Sequence, residues 1–335
     1  MKERIEKKRL AILRVLRSAE KPLSSGTITD ELYTMGYDMS PRTIRFHLKS
    51  MDSEGLTKYS EKHGRFITPK GIQELELSRV FEKVGFLNAL IDEMSYKMDF
   101  NISEQKGSII LNISYIKKKD IDRAVELLLP AFETGFSMGQ LIKLYPGGDH
   151  AGTQIVPGDC IGLGTVCSFT LNGILTRAGI PVNSRFGGLL QIEGGEPLRF
   201  IEIINYDGTS IDPLEIFIQS RMTKFPKSAT DENGRIGANF FEFPEGARGE
   251  AVRIIGKMEK IGLGNILKLS YPEHPLLEIP IGAGRVGGIA TGGLNPVAAL
   301  IENGIEAASH AVSDLADFST LFHYKALPQR VKEII

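Results

Sequence analysis

The residues best suited to chemistry here are basic and polar, and they gather in two settings. Arg42, Thr43, Arg45 and Lys49 follow Ser40-Pro41 at short spacing. In such a run, guanidinium and ammonium groups can meet guanine edges or phosphates, and hydroxyls can serve either. The second setting is glycine-flanked: Ser184-Arg185 ahead of Gly187-Gly188, and Gly282-Ala283-Gly284-Arg285 with Thr291 downstream. An arginine beside backbone N–H groups suits a small carboxylate, and a structural ion pair is the competing role for each. Catalysis has little support. The six histidines (47, 63, 150, 274, 310, 323) are scattered, and there is no nucleophile elbow, P-loop or H-E-x-x-H pattern. No catalytic residue, metal site or cofactor is expected. Gly282 to Gly287 formally spell G-x-G-x-x-G, but more glycines follow and the next helix starts only at Pro296, so a dinucleotide site is not expected.

The first set needs a helix to present it. Ser40 at N-cap and Pro41 at the first helical position start one, Ile44, Leu48 and Met51 give its apolar stripe, and Gly55 ends it. That spacing turns Arg42, Thr43, Arg45 and Lys49 outward. Two helices precede it: 5–18, with Ile5, Ile12, Leu13 and Leu16 on one stripe, and a second opened by Thr27-Ile28-Thr29-Asp30 and closed at Gly36. Leu56–Tyr59 and Phe66–Thr68 read as two short strands, and the turn between them carries Lys62, His63 and Arg65. The whole predicts a winged helix-turn-helix over residues 1–72, whose third helix enters the major groove and whose wing touches phosphate or minor groove. A winged helix that binds a partner subunit instead of DNA is the alternative.

Charge supports the first reading. Residues 1–75 hold 15 Lys/Arg against 10 Asp/Glu, and the remainder 25 against 31. A basic amino-terminal module on an acidic body fits a DNA reader joined to a sensing domain. With 335 residues, two or three domains are expected. Cys160 and Cys167 fit neither a disulfide framework nor a paired zinc spacing. No signal peptide or membrane span is legible, so a cytoplasmic protein is expected.

Residues 73–104 read as a connecting helix. Leu77, Val80, Val84, Leu87, Ile91 and Met94 form a short heptad stripe, which either joins two copies or packs on the next domain. From 105 to 325 the pattern becomes strands and helices punctuated by Gly and Pro. Ser108–Ile113 reads as a strand, and 120–130 as a helix stopped by Pro130. Leu171-Asn172-Gly173 before Gly179-Ile180 echoes Leu294-Asn295-Pro296 before Gly304-Ile305, each Asn capping a short helix, which hints at two related halves. The fold class is α+β: the winged helix, then a larger mixed α/β effector-binding and oligomerisation domain.

Arg235-Ile236-Gly237-Ala238-Asn239-Phe240, Pro244-Glu245-Gly246-Ala247-Arg248, and the glycine-rich run from Gly282 through Gly293-Leu294-Asn295-Pro296 resemble the NrpR family of nitrogen-assimilation repressors, over essentially the whole chain. That resemblance implies a dimer or higher assembly on inverted-repeat DNA operators, released by 2-oxoglutarate as a regulatory ligand. Some members carry two effector domains. This chain has room for one, and the resemblance then allows a second NrpR-type subunit lacking a winged helix. A dicarboxylate favours Arg185 and Arg285, with Ser184, Gly282, Gly284 and Thr291 beside them.

Overall fold

The computed structural model describes residues 2–19, 21–60, 64–78, 86–226 and 231–334, and their side chains other than 2–7, 76–78 and 86. The chain forms two compact units, Met1–Val84 and Gly85–Ile335.

The first unit runs α1 (Lys2–Ser18), α2 (Ser25–Thr34), α3 (Pro41–Ser53), the antiparallel hairpin β1 (Thr57–Ser60) and β2 (Gly64–Ile67), then α4 (Pro69–Ser78). This is a winged helix. Ser40 Oγ accepts from Thr43 N–H at 3.2 Å and Pro41 opens α3, as the residue types dictate. α2 starts earlier than its Thr27–Asp30 pattern suggests: Ser24 caps it, accepting from Thr27 N–H at 3.1 Å. Ile12, Leu13, Leu16, Ile28, Leu32, Ile44, Leu48 and Met51 close one core, each contributing about 1.5–3 kcal/mol of burial. The hairpin strands reach closer together in sequence than expected, to Ser60 and from Gly64, and Leu23 and Arg65 exchange two backbone hydrogen bonds of 2.9 Å beside them. Gly64 is needed there. Its φ is +108°, and a Cβ would stand 2.2 Å from the Leu23 carbonyl oxygen.

The second unit opens with α5 (Phe86–Lys97), β3 (Ser108–Lys117), α6 (Ile121–Glu133), β4 (Leu141–Tyr145), the small hairpin β5 (His150–Ala151) and β6 (Gln154–Ile155), and β7 (Cys160–Val166). It continues with α7 (Thr170–Arg177), β8 (Asn183–Glu193), β9 (Glu196–Asn205), α8 (Pro213–Gln219), β10 (Gly234–Pro244), α9 (Arg248–Lys260), β11 (Ile266–Leu269) and β12 (Arg285–Thr291). Last come α10 (Asn295–Glu302), β13 (Ala307–Asp317), β14 (Phe322–His323) and α11 (Leu327–Ile334).

Within this order lies a repeat. A strand, a one-turn 3-10 helix, a 13-residue helix, two strands, an 8-residue helix and an 11-residue strand occur first as β3–α6–β4–β7–α7–β8, with Lys118–Asp120 as the 3-10 turn and the β5–β6 hairpin inserted between β4 and β7. They recur as β10–α9–β11–β12–α10–β13, with Glu245–Ala247 as the turn. The two antiparallel sheets have the orders β11-β12-β10-β8-β9 and β13-β3-β7-β4-β14. Each half therefore lends its last strand to the first strand of the other: β8 pairs with β10, and β13 with β3.

Hydrogen bonds repeat with the fold. Cys167 N–H and Thr170 Oγ1 both donate to the Ile110 carbonyl at 2.9 Å, while Gly292 N–H and Asn295 Nδ2 both donate to the Gly237 carbonyl at 2.9 Å. The two halves expected from the sequence are present, but the equivalence is shifted: Thr170, not Asn172, matches Asn295. Neither Asn caps its helix. Asn172 lies inside α7, and Asn295 follows the capping residue Leu294.

Both faces of the sheets are covered. Ile236, Ala238 and Phe240 of β10 enter one apolar core, and Phe241 and Phe243 the other. Such a strand reads as a continuous apolar run without alternation. Pro130 does not stop α6, which continues to Glu133 because Ala131 and Phe132 are buried. The described half of the heptad stripe packs inward, with Leu87 and Ile91 buried in the second unit's core and Met94 against it. Val80 and Val84, and the side chain of Leu77, lie outside the described residues.

Candidate functional site

On α3, Ile44, His47, Leu48 and Met51 face inward. Arg42, Arg45 and Lys49 are exposed, Thr43 is half-buried, and Ser40 is exposed but committed as the cap. The unit's other arginines here are spoken for: Arg9 pairs with Glu54, and Arg65 with Asp52 at 2.8 Å. What remains outward is a face of cations, Arg42, Arg45 and Lys49, that form no ion pair among the described residues. One outward residue escaped the sequence reading. Phe46 lies among these cations and is 74% exposed. His47 is held below its usual pKa by burial and by Lys8 and Arg9, so it is neutral at pH 7 and adds no positive charge.

Arg65 does not stand free on the wing. Its Nε donates to Asp52, and its guanidinium lies over the Tyr59 ring at 5.1 Å. It ties β2 to α3. Lys62 and His63 lie outside the described residues.

The glycine-flanked residues of the second unit are brought together in part. Arg185 Nη1 donates to Glu242 Oε1 at 2.7 Å and to the Pro280 carbonyl at 2.6 Å. Gly282 N–H donates to the same Glu242 oxygen at 3.4 Å, and the Arg285 side chain lies against Gly282. Gly284 N–H donates to Glu273 at 3.2 Å. Arg185 and Gly282 thus hold Glu242, with Arg285 against Gly282 beside them, and the loop's N–H groups already hold carboxylates of the chain itself. Ser184 accepts from Asn172, and Thr291 is fully buried at the far end of β12, bonded to the Asn265 carbonyl. The glycine run precedes a strand, not a helix. Gly288 sits inside β12, where a Cβ would stand 2.3 Å from the Phe241 ring, so its role is close packing.

Glu242 is 4% exposed, so Arg185→Ala leaves a buried carboxylate without its cation. A loss of about 2–3 kcal/mol is expected, since breaking a buried pair costs more than the pair contributes. Arg285→Ala should leave the melting temperature nearly unchanged. Thermal unfolding of the two variants checks the contrast, and Arg285→Ala is the variant to carry into ligand assays.

A cavity of about 550 Å³ lies elsewhere in this unit, lined by Met94, Gln154, Ser210, Asp212, Glu215 and His310 among others. None of the arginines above reaches it. Burial raises Asp212 to about 6 and Glu215 to about 7, against the backbone N–H bonds each accepts. Folding therefore favours their protonated forms, and stability from this pair is lost as pH rises from about 4 to about 7. Asp212→Asn keeps the acceptor for Leu214 N–H and removes the ionisation. Relative to the unchanged chain, it should gain about 2 kcal/mol on going from pH 4.5 to pH 8. Parallel chemical denaturation at the two pH values measures this, and a pH-independent difference would refute it.

The NrpR regulatory domains NRD1 and 2, taken as a family, match residues 84–323, and a ribonuclease R winged-helix domain family matches residues 10–75. The global nitrogen regulator NrpRI of Methanosarcina mazei is 35% identical over 321 residues, which is 96% of this chain and 99% of that protein. The chain belongs to the NrpR family. The NrpR regulators of Methanococcus maripaludis and Methanocaldococcus jannaschii are 29% and 27% identical over 92% and 98% of this chain, which spans 54% and 57% of their lengths. The crystal structure of a nitrogen repressor-like protein from Methanococcus jannaschii, 28% identical, superposes with a TM-score of 0.60 over 71% of this chain and 97% of that one. The NrpR match begins at residue 84, beside the boundary between the units. Helix α5 therefore goes with the regulatory domain.

Proposed function

We propose that the chain is a transcriptional repressor of nitrogen-assimilation genes that reads double-stranded DNA with α3 and the wing. The carrying observation is the exposed cationic face of α3 on a chain that aligns over 96% of its length with a protein named as a global nitrogen regulator. Arg42, Thr43, Arg45 and Lys49 meet base edges and phosphates, and Lys62 and His63 extend the contact from the wing. The active form is a homodimer or higher assembly on a two-fold operator, with a second NrpR-type subunit lacking a winged helix as an optional partner. It regulates in the cytoplasm and turns over no metabolite. Among the described residues, no helix is long and apolar enough to cross a membrane.

The effector in this reading is 2-oxoglutarate. Its carboxylates compete with Glu242 and Glu273 for Arg185 and the N–H groups of Gly282 and Gly284, and Arg285 adds a second guanidinium beside them. Binding favours a geometry that misplaces the recognition helices. Taking an operator from mostly bound to mostly free requires several kcal/mol of preference between the two states. Gel-shift titration of a fragment upstream of a nitrogen-assimilation gene, with and without 2-oxoglutarate, is the test. A midpoint that moves to higher protein concentration supports the effector. An unchanged midpoint removes it and leaves DNA reading intact.

A further inference from the structure

Phe46 occupies the middle of the outward face of α3, 74% exposed. Arg42 lies four residues before it and Lys49 three after, so the three side chains share one helix face. Among the described residues its one ring contact is a T-shaped one with His47, at 5.7 Å between centroids. A phenylalanine left in water forgoes the burial that a core position would give, and a small polar side chain would serve this helix equally well if only solvent lay outside.

The cations around it can meet phosphates and guanine. They have no purchase on the group that marks thymine, its 5-methyl, which projects into the major groove and is met there by apolar side chains. The ring stands in the second turn of α3, within the part of such a helix that reaches base edges. His47 beside it is buried and does not compete for the base, and its contact leaves the Phe46 ring 74% exposed. We infer that Phe46 is a specificity-determining residue that contacts a thymine 5-methyl group in the major groove. The inference rests on the reading of α3 as the helix that enters DNA.

The test uses the full chain and starts from random DNA, so the operator sequence need not be in hand. A pool of duplexes with a randomised core is enriched on the unchanged protein. The resulting consensus is then remade with each thymine replaced in turn by deoxyuridine, which lacks only the methyl. At one or more positions the replacement should weaken binding about fourfold, the value of one buried methyl-sized group. Phe46→Ala should bind the consensus more weakly and be indifferent to the same replacement, while Phe46→Leu keeps part of the sensitivity. The salt dependence should be equal for all three, because no phosphate contact is lost. Circular dichroism should be unaltered, since the ring belongs to no core. Equal deoxyuridine effects in the unchanged protein and Phe46→Ala would overturn the inference while leaving the DNA-reading helix standing. A pool that yields no enriched sequence would instead overturn the DNA reading of α3, and this inference with it.

Discussion

Replacing Arg42 and Arg45 together by alanine is expected to weaken operator binding about a hundredfold or more, with no change in fold or assembly. Each guanidinium that forks onto a guanine contributes about 1–3 kcal/mol, so losing two costs about 2–6 kcal/mol, a range whose middle lies beyond a hundredfold. Both are exposed on α3, outside the apolar stripe of Ile44, Leu48 and Met51. Alanine is the best helix former and should not unwind the segment. Fluorescence anisotropy over a salt series measures the loss, and the salt slope should fall by about one for each phosphate contact removed. Sedimentation of the double variant should match that of the unchanged chain. Unaltered affinity would favour the alternative in which this winged helix docks a partner subunit.

The largest expected stability effect lies at the seam between the two halves of the regulatory unit. Asn295 is fully buried, accepts from Gly237 N–H at 2.8 Å, and donates through Nδ2 to the carbonyls of Phe136 and Gly237 at 2.8 and 2.9 Å. Asn295→Asp keeps the shape and the first bond. It then sets a carboxylate oxygen against two carbonyl oxygens, in a place water does not reach. The cost should be about 4 kcal/mol or more, from two lost bonds and an unpaired buried charge. A fall in melting temperature of about 10 °C follows for a domain of this size. Thr170, its counterpart in the first half, makes a single hydroxyl bond to the Ile110 carbonyl, so Thr170→Val should cost only about 1–2 kcal/mol. Equal costs at the two positions would show that the seam is not held in this way.

Helix α3 was legible because its signals are local. Ser40-Pro41 fixes the start, and Ile44, Leu48 and Met51 fix the buried side within one turn of each other. Arg65 illustrates the opposite case. Its position on the hairpin suggested a phosphate contact, but its partner Asp52 lies thirteen residues back on another element, and no short-range pattern announces it. The duplication was nearly invisible for a related reason. At equivalent places stand Cys167 and Gly292, or Thr170 and Asn295, and the shared part is the backbone N–H or the hydrogen-bond direction, not the side chain. Matching letters consequently aligned Asn172 with Asn295, two residues out of register. In the glycine run, Gly282 and Gly284 lie in a loop that engages Glu242 and Glu273, whereas Gly288 makes room for Phe241. Composition alone cannot separate those roles.

The exchange of strands between the halves bears on how the chain emerges from the ribosome. Strand β3 is complete once residue 117 has been made, yet its outer neighbour β13 ends at Asp317, which pairs with Ser108. At about 5–20 residues per second, roughly 10–40 seconds of synthesis separate the two. Throughout that interval the apolar strand Ser108–Lys117 presents a bare row of N–H and C=O groups on one side. The same holds more briefly for β8, which waits for β10. Neither half can be finished alone, so the nascent regulatory unit closes as a single late event, and a chain interrupted before β13 carries an edge primed to pair with its neighbours on the same message.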